Sequence, residues 1–194
     1  MLFREAITEF RDEADTLITT STLTVVSTER KVDQPAITAD TGMPRTWRRP
    51  DYPSAYPVQP PRAGDLTPGA SFSERVVEDL PRAQLLLYAG ASGDFSPQHT
   101  DEVYNTRIEG YPSVFAHGML SMGMTGRMLT DWLGDGRLTR FKMNFLGQVW
   151  PGDSLTAHAT VRALRGDLVE LELATVNQNG VAVLSGSATA EVDP

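Results

Sequence analysis

The sequence predicts an α+β fold, and two observations carry that reading. From Val114 to Leu133 the chain is almost wholly apolar, with Met119, Leu120, Met122, Met124, Met128, Leu129, Trp132 and Leu133 recurring at helical spacing; such a helix belongs in an interior. The pattern then switches. Leu138–Phe145, Ser154–Leu164, Leu168–Asn177 and Val181–Val192 alternate or are rich in β-branched residues, and Pro151-Gly152-Asp153, Arg165-Gly166-Asp167 and Gln178-Asn179-Gly180 separate them. These read as a meander of long antiparallel strands, suited to a sheet curled around the one buried helix upstream.

Composition narrows the class of function. The 194 residues are 40% hydrophobic and 22% charged, enough for one good core and an appendage. A formal net charge of -8 argues against nucleic acid as a partner, because a phosphate backbone wants clustered Lys and Arg. An acidic surface still tolerates coenzyme A, which needs only a few local positive charges. Cysteine is absent, so neither a disulfide framework nor a thiolate metal site is expected. With no signal-like or long apolar segment, the expectation is a cytoplasmic protein with no membrane span.

In chain order, residues 2–18 place Phe3, Ala6, Ile7, Phe10, Ala14, Leu17 and Ile18 three and four apart with charged residues between, which predicts an amphipathic helix. Thr22–Thr28 is β-branched and predicts a short strand. From Thr41 to Pro68 repeated prolines interrupt regular structure, so this is a linker or wrapping arm. Its Trp47, Tyr52 and Tyr56 suggest contact with a surface, and Arg45, Arg48 and Arg49 are better read as a solvated or carboxylate-paired cluster than as a phosphate site. The organisation expected is an N-terminal segment over 1–63 and a main domain over 64–194. That domain opens with a strand, Ser71–Val77, and a short helix begun by Pro81 and running through Tyr88. Asp101–Arg107 is a further short helical piece, and Gly134 and Gly136 end the central helix.

Between these helices lies the chemistry. Gly93 and Pro97 bracket Asp94 in a turn-rich segment, so Asp94 and His99 are expected to project from a loop that can aim both at one point. A carboxylate and an imidazole together move protons near neutral pH. The ordinary alternative is that Asp94 caps a turn and His99 is a satisfied surface or core side chain. His117-Gly118 opens the central helix, whose first N–H groups lack intrahelical partners and sit at the positive end of its dipole. Without a side chain, Gly118 lets a substrate oxygen approach them, which makes an oxyanion site. The alternative there is close helix packing; the methionines are read as core filler.

The segment Tyr88-Ala-Gly-Ala-Ser-Gly-Asp94-Phe-Ser-Pro-Gln-His99-Thr-Asp101, followed by Gly110-Tyr111-Pro112 and Phe115-Ala116-His117-Gly118-Met119-Leu120, closely resembles the MaoC-like (R)-specific enoyl-CoA hydratases. The resemblance runs from about Gly64 to the C-terminus. It implies a hotdog fold, with an N-terminal helix and proline-rich arm added here. By residue, it implies that Asp94 and His99 hold the water that adds to C3 of a trans-2-enoyl thioester, that the Gly118 N–H receives the thioester oxygen, and that Phe95, Ser96, His117 and Met119 line the substrate. No metal and no cofactor is implied beyond the coenzyme A or acyl carrier protein of the substrate. Ser96 stands where the family commonly has Asn, Gln98 where it has an aliphatic residue, and Gly126 where some members place a serine; these bear on substrate choice more than on reaction type.

The resemblance therefore implies a lyase of lipid metabolism that interconverts 2-enoyl and (3R)-hydroxyacyl thioesters. Two alternatives stay open: a non-catalytic thioester-binding subunit of a hetero-oligomer, and a dehydratase restricted to carrier-bound substrates. An unpaired sheet edge, and the way the family's hotdogs pair, predict at least a homodimer.

Overall fold

The computed structural model describes residues 2–11, 14–15, 17–27 and 60–194. It divides into two units, Met1–Asp40 and Thr41–Pro194.

The first unit corrects the expected N-terminal helix. Strand β1 (Leu2–Arg11) pairs antiparallel with β2 (Leu17–Ser27), Leu2 opposite Ser27. The strand expected at Thr22 is thus longer and has a partner. Two physical reasons defeat the helical spacing. Asp15 adopts a left-handed φ of 63°, which no right-handed helix over 2–18 can pass through. The β-branched run of β2 also supplies a ladder, and pairing overrides a propensity worth only tenths of a kcal/mol per residue. Residues 41–59 of the expected arm, with Trp47, Tyr52, Tyr56 and the arginine cluster, lie outside the described residues; its end forms a 3₁₀ turn, Ala63–Asp65, and Arg62 bridges to Asp193.

The second unit contains β3 (Ser71–Val77), α1 (Arg82–Ser92), α2 (Pro97–Thr100), α3 (Glu102–Tyr104), α4 (Gly118–Leu133), β4 (Leu138–Phe145), β5 (Leu155–Arg165), β6 (Leu168–Asn177) and β7 (Ala182–Glu191). The strands form one five-stranded antiparallel sheet in the order β3-β5-β6-β7-β4. Only β5, β6 and β7 form the expected meander; β4 crosses to the far edge and pairs with β7, Phe141 opposite Ala188. The reason lies in residues 146–154, too long for a hairpin and committed elsewhere. Leu146 N–H donates to the Val183 carbonyl at 2.9 Å, and the Val149 carbonyl accepts from Ala116 N–H at 2.8 Å.

Helix α4 packs on both edge strands, β3 and β4, and on β5 and β7. A sheet that touches one helix from both of its edges must curl around it, the arrangement expected of a hotdog. The alternation read from β5 is realised: Leu155, Ala157, Ala159 and Val161 are buried, and they meet Leu120, Met124, Met128, Leu129 and Leu133 of α4 in one core. Met124 and Met128 are core residues as expected, and Phe72 stacks on Trp132 with centroids 5.0 Å apart. No helix among the described residues is long and apolar enough to cross a membrane.

Candidate active site

The site is built where two stretches of chain meet. Helix α1 ends at Gly93, whose left-handed φ of 74° turns the chain out of the helix and presents Asp94. Asp94 Oδ1 accepts from Ser96 N–H at 3.2 Å, so the turn-capping role is real, but it uses one oxygen. The other, Oδ2, lies 4.0 Å from His99 Nε2. His99 sits on the single helical turn α2, not in open loop: Pro97 starts that turn and His99 is buried while Asp94 is half exposed.

The second stretch is Ser113–Gly118. His99 Nδ1 lies 2.7 Å from the Phe115 carbonyl oxygen, which only accepts, so Nδ1 carries the proton. In the neutral ring this leaves Nε2 as a bare acceptor facing Asp94. A gap of 4.0 Å is too long for a direct hydrogen bond and suits one water at about 2.8 Å from each group. His117 stacks on His99 with centroids 3.8 Å apart and donates from Nε2 to the Asp94 carbonyl at 2.9 Å. It thereby ties the two stretches together, while its buried Nδ1 has no partner among the described residues.

Burial pushes the His99 imidazole below its ordinary pKa, and the adjacent His117 adds to this; the Phe115 carbonyl and the Asp94 carboxylate pull the other way. The ring is thereby held neutral, as an acceptor at Nε2 must be. Burial, and then the Asp94 charge, push the Tyr88 phenol up, so it stays a donor. The Tyr88 ring packs against His117 at 4.9 Å.

Gly118 begins α4, and its N–H has no acceptor among the described residues. The space a side chain would fill here is taken: an added Cβ would lie 2.8 Å from Phe145 Cε1 and 2.9 Å from Cδ1. Gly118 thus admits the Phe145 ring against the helix tip. Gly126, two turns on, is overlain by Phe141, whose Cε1 would lie 3.2 Å from an added Cβ.

Asp94 and His99 therefore face each other, and His117, which directly precedes Gly118, stacks on His99. Of the residues expected to line the substrate, Ser96 donates its hydroxyl to Gln98 Oε1 at 3.0 Å, so the two unusual residues of the loop satisfy each other. His117 is buried and touches His99, Tyr88 and the Asp94 backbone, whereas Phe95 and Met119 are exposed at 67% and 47%. Asp94, His99 and His117 also bring one ligand atom each within 4.8 Å of one another, close enough to hold a cation. A separate cavity of about 470 Å³ lined by Arg140, Arg162, Glu170, Glu172 and Ser187 shares no residue with the site.

The sequence reading missed the braces. Glu102 Oε2 accepts from Arg82 at 2.7 Å and from Ser113 Oγ and Val114 N–H at 3.2 Å each, and these donors, Arg82 foremost, hold its carboxyl below the usual range. Asn105 is fully buried and bonds the Gln98 and Ser113 carbonyls. Neither belongs to a motif; the one available signal was an Asn and a Glu next to the conspicuous loop.

Comparison with known proteins identifies a family. Residues 62–179 match the MaoC like domain family. The chain is 33% identical over 99 residues to the 3-hydroxyacyl-thioester dehydratase Y of Mycobacterium tuberculosis, covering 50% of this chain and 32% of that protein. It spans only about a third of that relative. It is 30% identical over 131 residues to the (R)-specific enoyl-CoA hydratase of Rhodospirillum rubrum, covering 66% of this chain and 89% of the relative. Among solved structures, the (R)-hydratase from A. caviae superposes with a TM-score of 0.58 at 27% identity, over 67% of this chain and 99% of that one. The hotdog fold, the ordered Asp94–His99–Gly118 pattern and the family match lead to one statement: this chain belongs to the MaoC-like dehydratase family.

Proposed function

We propose that the protein catalyses the reversible hydration of trans-2-enoyl thioesters to (3R)-hydroxyacyl thioesters. The observation that carries this reading is the 4.0 Å gap between Asp94 Oδ2 and His99 Nε2, with Nδ1 locked as a donor to the Phe115 carbonyl. A water in that gap gives one hydrogen bond to the carboxylate and one to Nε2. As its oxygen adds to C3, Nε2 takes the proton. The electron pair of the C2–C3 double bond moves toward the thioester carbonyl, and negative charge collects on its oxygen. The Gly118 N–H, at the positive end of α4, is the donor proposed to receive that charge; one such donor typically lowers a barrier by about 3 to 4 kcal/mol. The imidazolium then returns the proton to C2, and the sum is one water added. Run backwards, the same groups dehydrate the 3-hydroxyacyl thioester.

The (3R) outcome rests on the likeness to the (R)-specific hydratases of R. rubrum and A. caviae. The substrate is proposed as a coenzyme A or acyl carrier protein thioester, handled by a homodimer or larger hotdog assembly in the cytoplasm. The test is a panel of trans-2-enoyl-CoA substrates of increasing length, followed by loss of conjugated absorbance, with chiral analysis of the product. Conversion to the (3R)-hydroxyacyl-CoA supports the proposal. No conversion of any CoA or carrier-bound enoyl chain ends it, and a (3S) product overturns the stereochemistry.

A further inference from the structure

We propose that Asn105 is the positioning residue that sets the His99 tautomer, an inference that rests on the catalytic reading of His99. Asn105 is fully buried, yet it lies on a surface-facing connection between Asp101 and Tyr111. It opens a π-turn, Asn105–Glu109, and its backbone is committed on both sides: its N–H donates to the Asp101 carbonyl at 3.1 Å, and its carbonyl accepts from Gly110 and from Tyr111 at 2.9 Å. The wide turn is of the kind that recurs at functional sites. With its backbone fixed, the side chain has little freedom.

Both protons of its Nδ2 are spent on backbone carbonyls, Gln98 at 2.6 Å and Ser113 at 2.9 Å. Those carbonyls belong to the two stretches that make the site. Gln98 directly precedes His99, and Ser113 stands two residues before Phe115, whose carbonyl holds His99 Nδ1 at 2.7 Å. The Gln98 carbonyl also accepts from Phe115 N–H at 3.2 Å, so Asn105 completes a closed loop of bonds: Asn105 to Gln98, Gln98 to Phe115, Phe115 to His99, and Ser113 back to Asn105. A primary amide suits this place, because it gives two protons in one plane. Its Oδ1 is buried with no partner among the described residues, where the side chain is held by its donor end. Remove Nδ2, and the Phe115 carbonyl is free to drift from His99; the neutral ring can then place its proton on Nε2, where it cannot accept from water.

The test uses the protein as it stands with Asn105→Ala and the hydroxyl-bearing Asn105→Ser, read in two ways. With crotonyl-CoA, kcat is expected to fall about 10- to 100-fold for Asn105→Ala, the scale of a misplacement near 1 Å, while KM stays within about threefold. Ring ¹⁵N spectra, which need no turnover, are expected to show His99 protonated at Nδ1 in wild type and a mixture of tautomers in Asn105→Ala. If Asn105→Ala does not fold by circular dichroism, Asn105→Ser carries the test; a hydroxyl group offers one of the two protons, so both readouts should lie between wild type and a full loss. A wild-type tautomer in a folded variant overturns the proposal even if kcat drops, as does wild-type kcat. An inactive wild type would defeat the proposed function, and the tautomer readout would still judge Asn105.

Discussion

Gly118→Ala probes the helix tip where the Phe145 ring and the candidate oxyanion donor share one residue. The new methyl would meet three ring atoms of Phe145 at 2.8, 2.9 and 3.3 Å, where carbon pairs prefer about 3.5 to 4.0 Å. The ring must withdraw by several tenths of an ångström. Overpacking costs about 1 to 3 kcal/mol, and because Phe145 is 43% exposed and can swing toward water, the lower end applies. Alanine repays part of this, being better than glycine by up to about 1 kcal/mol in a helix. The net change in stability is therefore small, and the informative quantity is the coupling. In Phe145→Ala the obstacle is gone, so the double variant should be more stable than the two single changes predict by about 1 kcal/mol. Urea midpoints of the four proteins measure it. Initial rates on crotonyl-CoA should show Gly118→Ala down about tenfold, or 1.4 kcal/mol, because the displaced ring crowds the approach to the N–H, with partial recovery in the double variant. Additivity within about 0.3 kcal/mol, with an unchanged rate, would refute the placement of Phe145 over Gly118.

Other expectations follow from the same contacts. Thr125 and Thr175 are fully buried and share a hydrogen bond at 2.8 Å while Thr125 also donates to the Ser121 carbonyl; Thr125→Val should cost about 1 to 3 kcal/mol by stranding the Thr175 hydroxyl, and adding Thr175→Val should recover much of it in denaturant titrations. His99 has a lowered pKa in the folded protein, so the unfolded chain takes up that proton first as pH falls below about 6.5. Its contribution to stability is present above that pH and is lost as pH falls through the folded value; His99→Gln should lose less stability than wild type on going from neutral to acidic pH. For the same reason the acid limb of kcat/KM for hydration should lie below about 6.5, and a limb at or above it would contradict the burial argument.

Where a signal was local and redundant, the sequence was legible. Ser71–Val77, Leu138–Phe145 and Leu168–Asn177 lie where alternation put them, and α4 runs from Gly118 to Leu133, between His117 and Gly134. Asp94, His99 and Gly118 were legible as a candidate site because three chemically distinct residues sit in fixed order in a turn-rich stretch and at a helix start. The N-terminal hairpin was not, since three-and-four spacing is silent about a partner strand and about a left-handed Asp15. The exchange of β4 to the far edge depends on what residues 146–154 bond, a fact of tertiary structure. Asn105 and Phe145 escaped for a related reason: a buried carboxamide and an aromatic ring acquire their roles only when distant chain folds over them.

The central claim is that one water, gripped between residues 94 and 99, is the nucleophile. Its most direct test is the hydration rate of crotonyl-CoA in wild type and in Asp94→Asn, a change that keeps size and the accepting oxygen of the Ser96 bond while removing the charge. The account predicts a loss of about 10²- to 10⁴-fold with an unchanged urea midpoint. A folded Asp94→Asn that hydrates at the wild-type rate would contradict it.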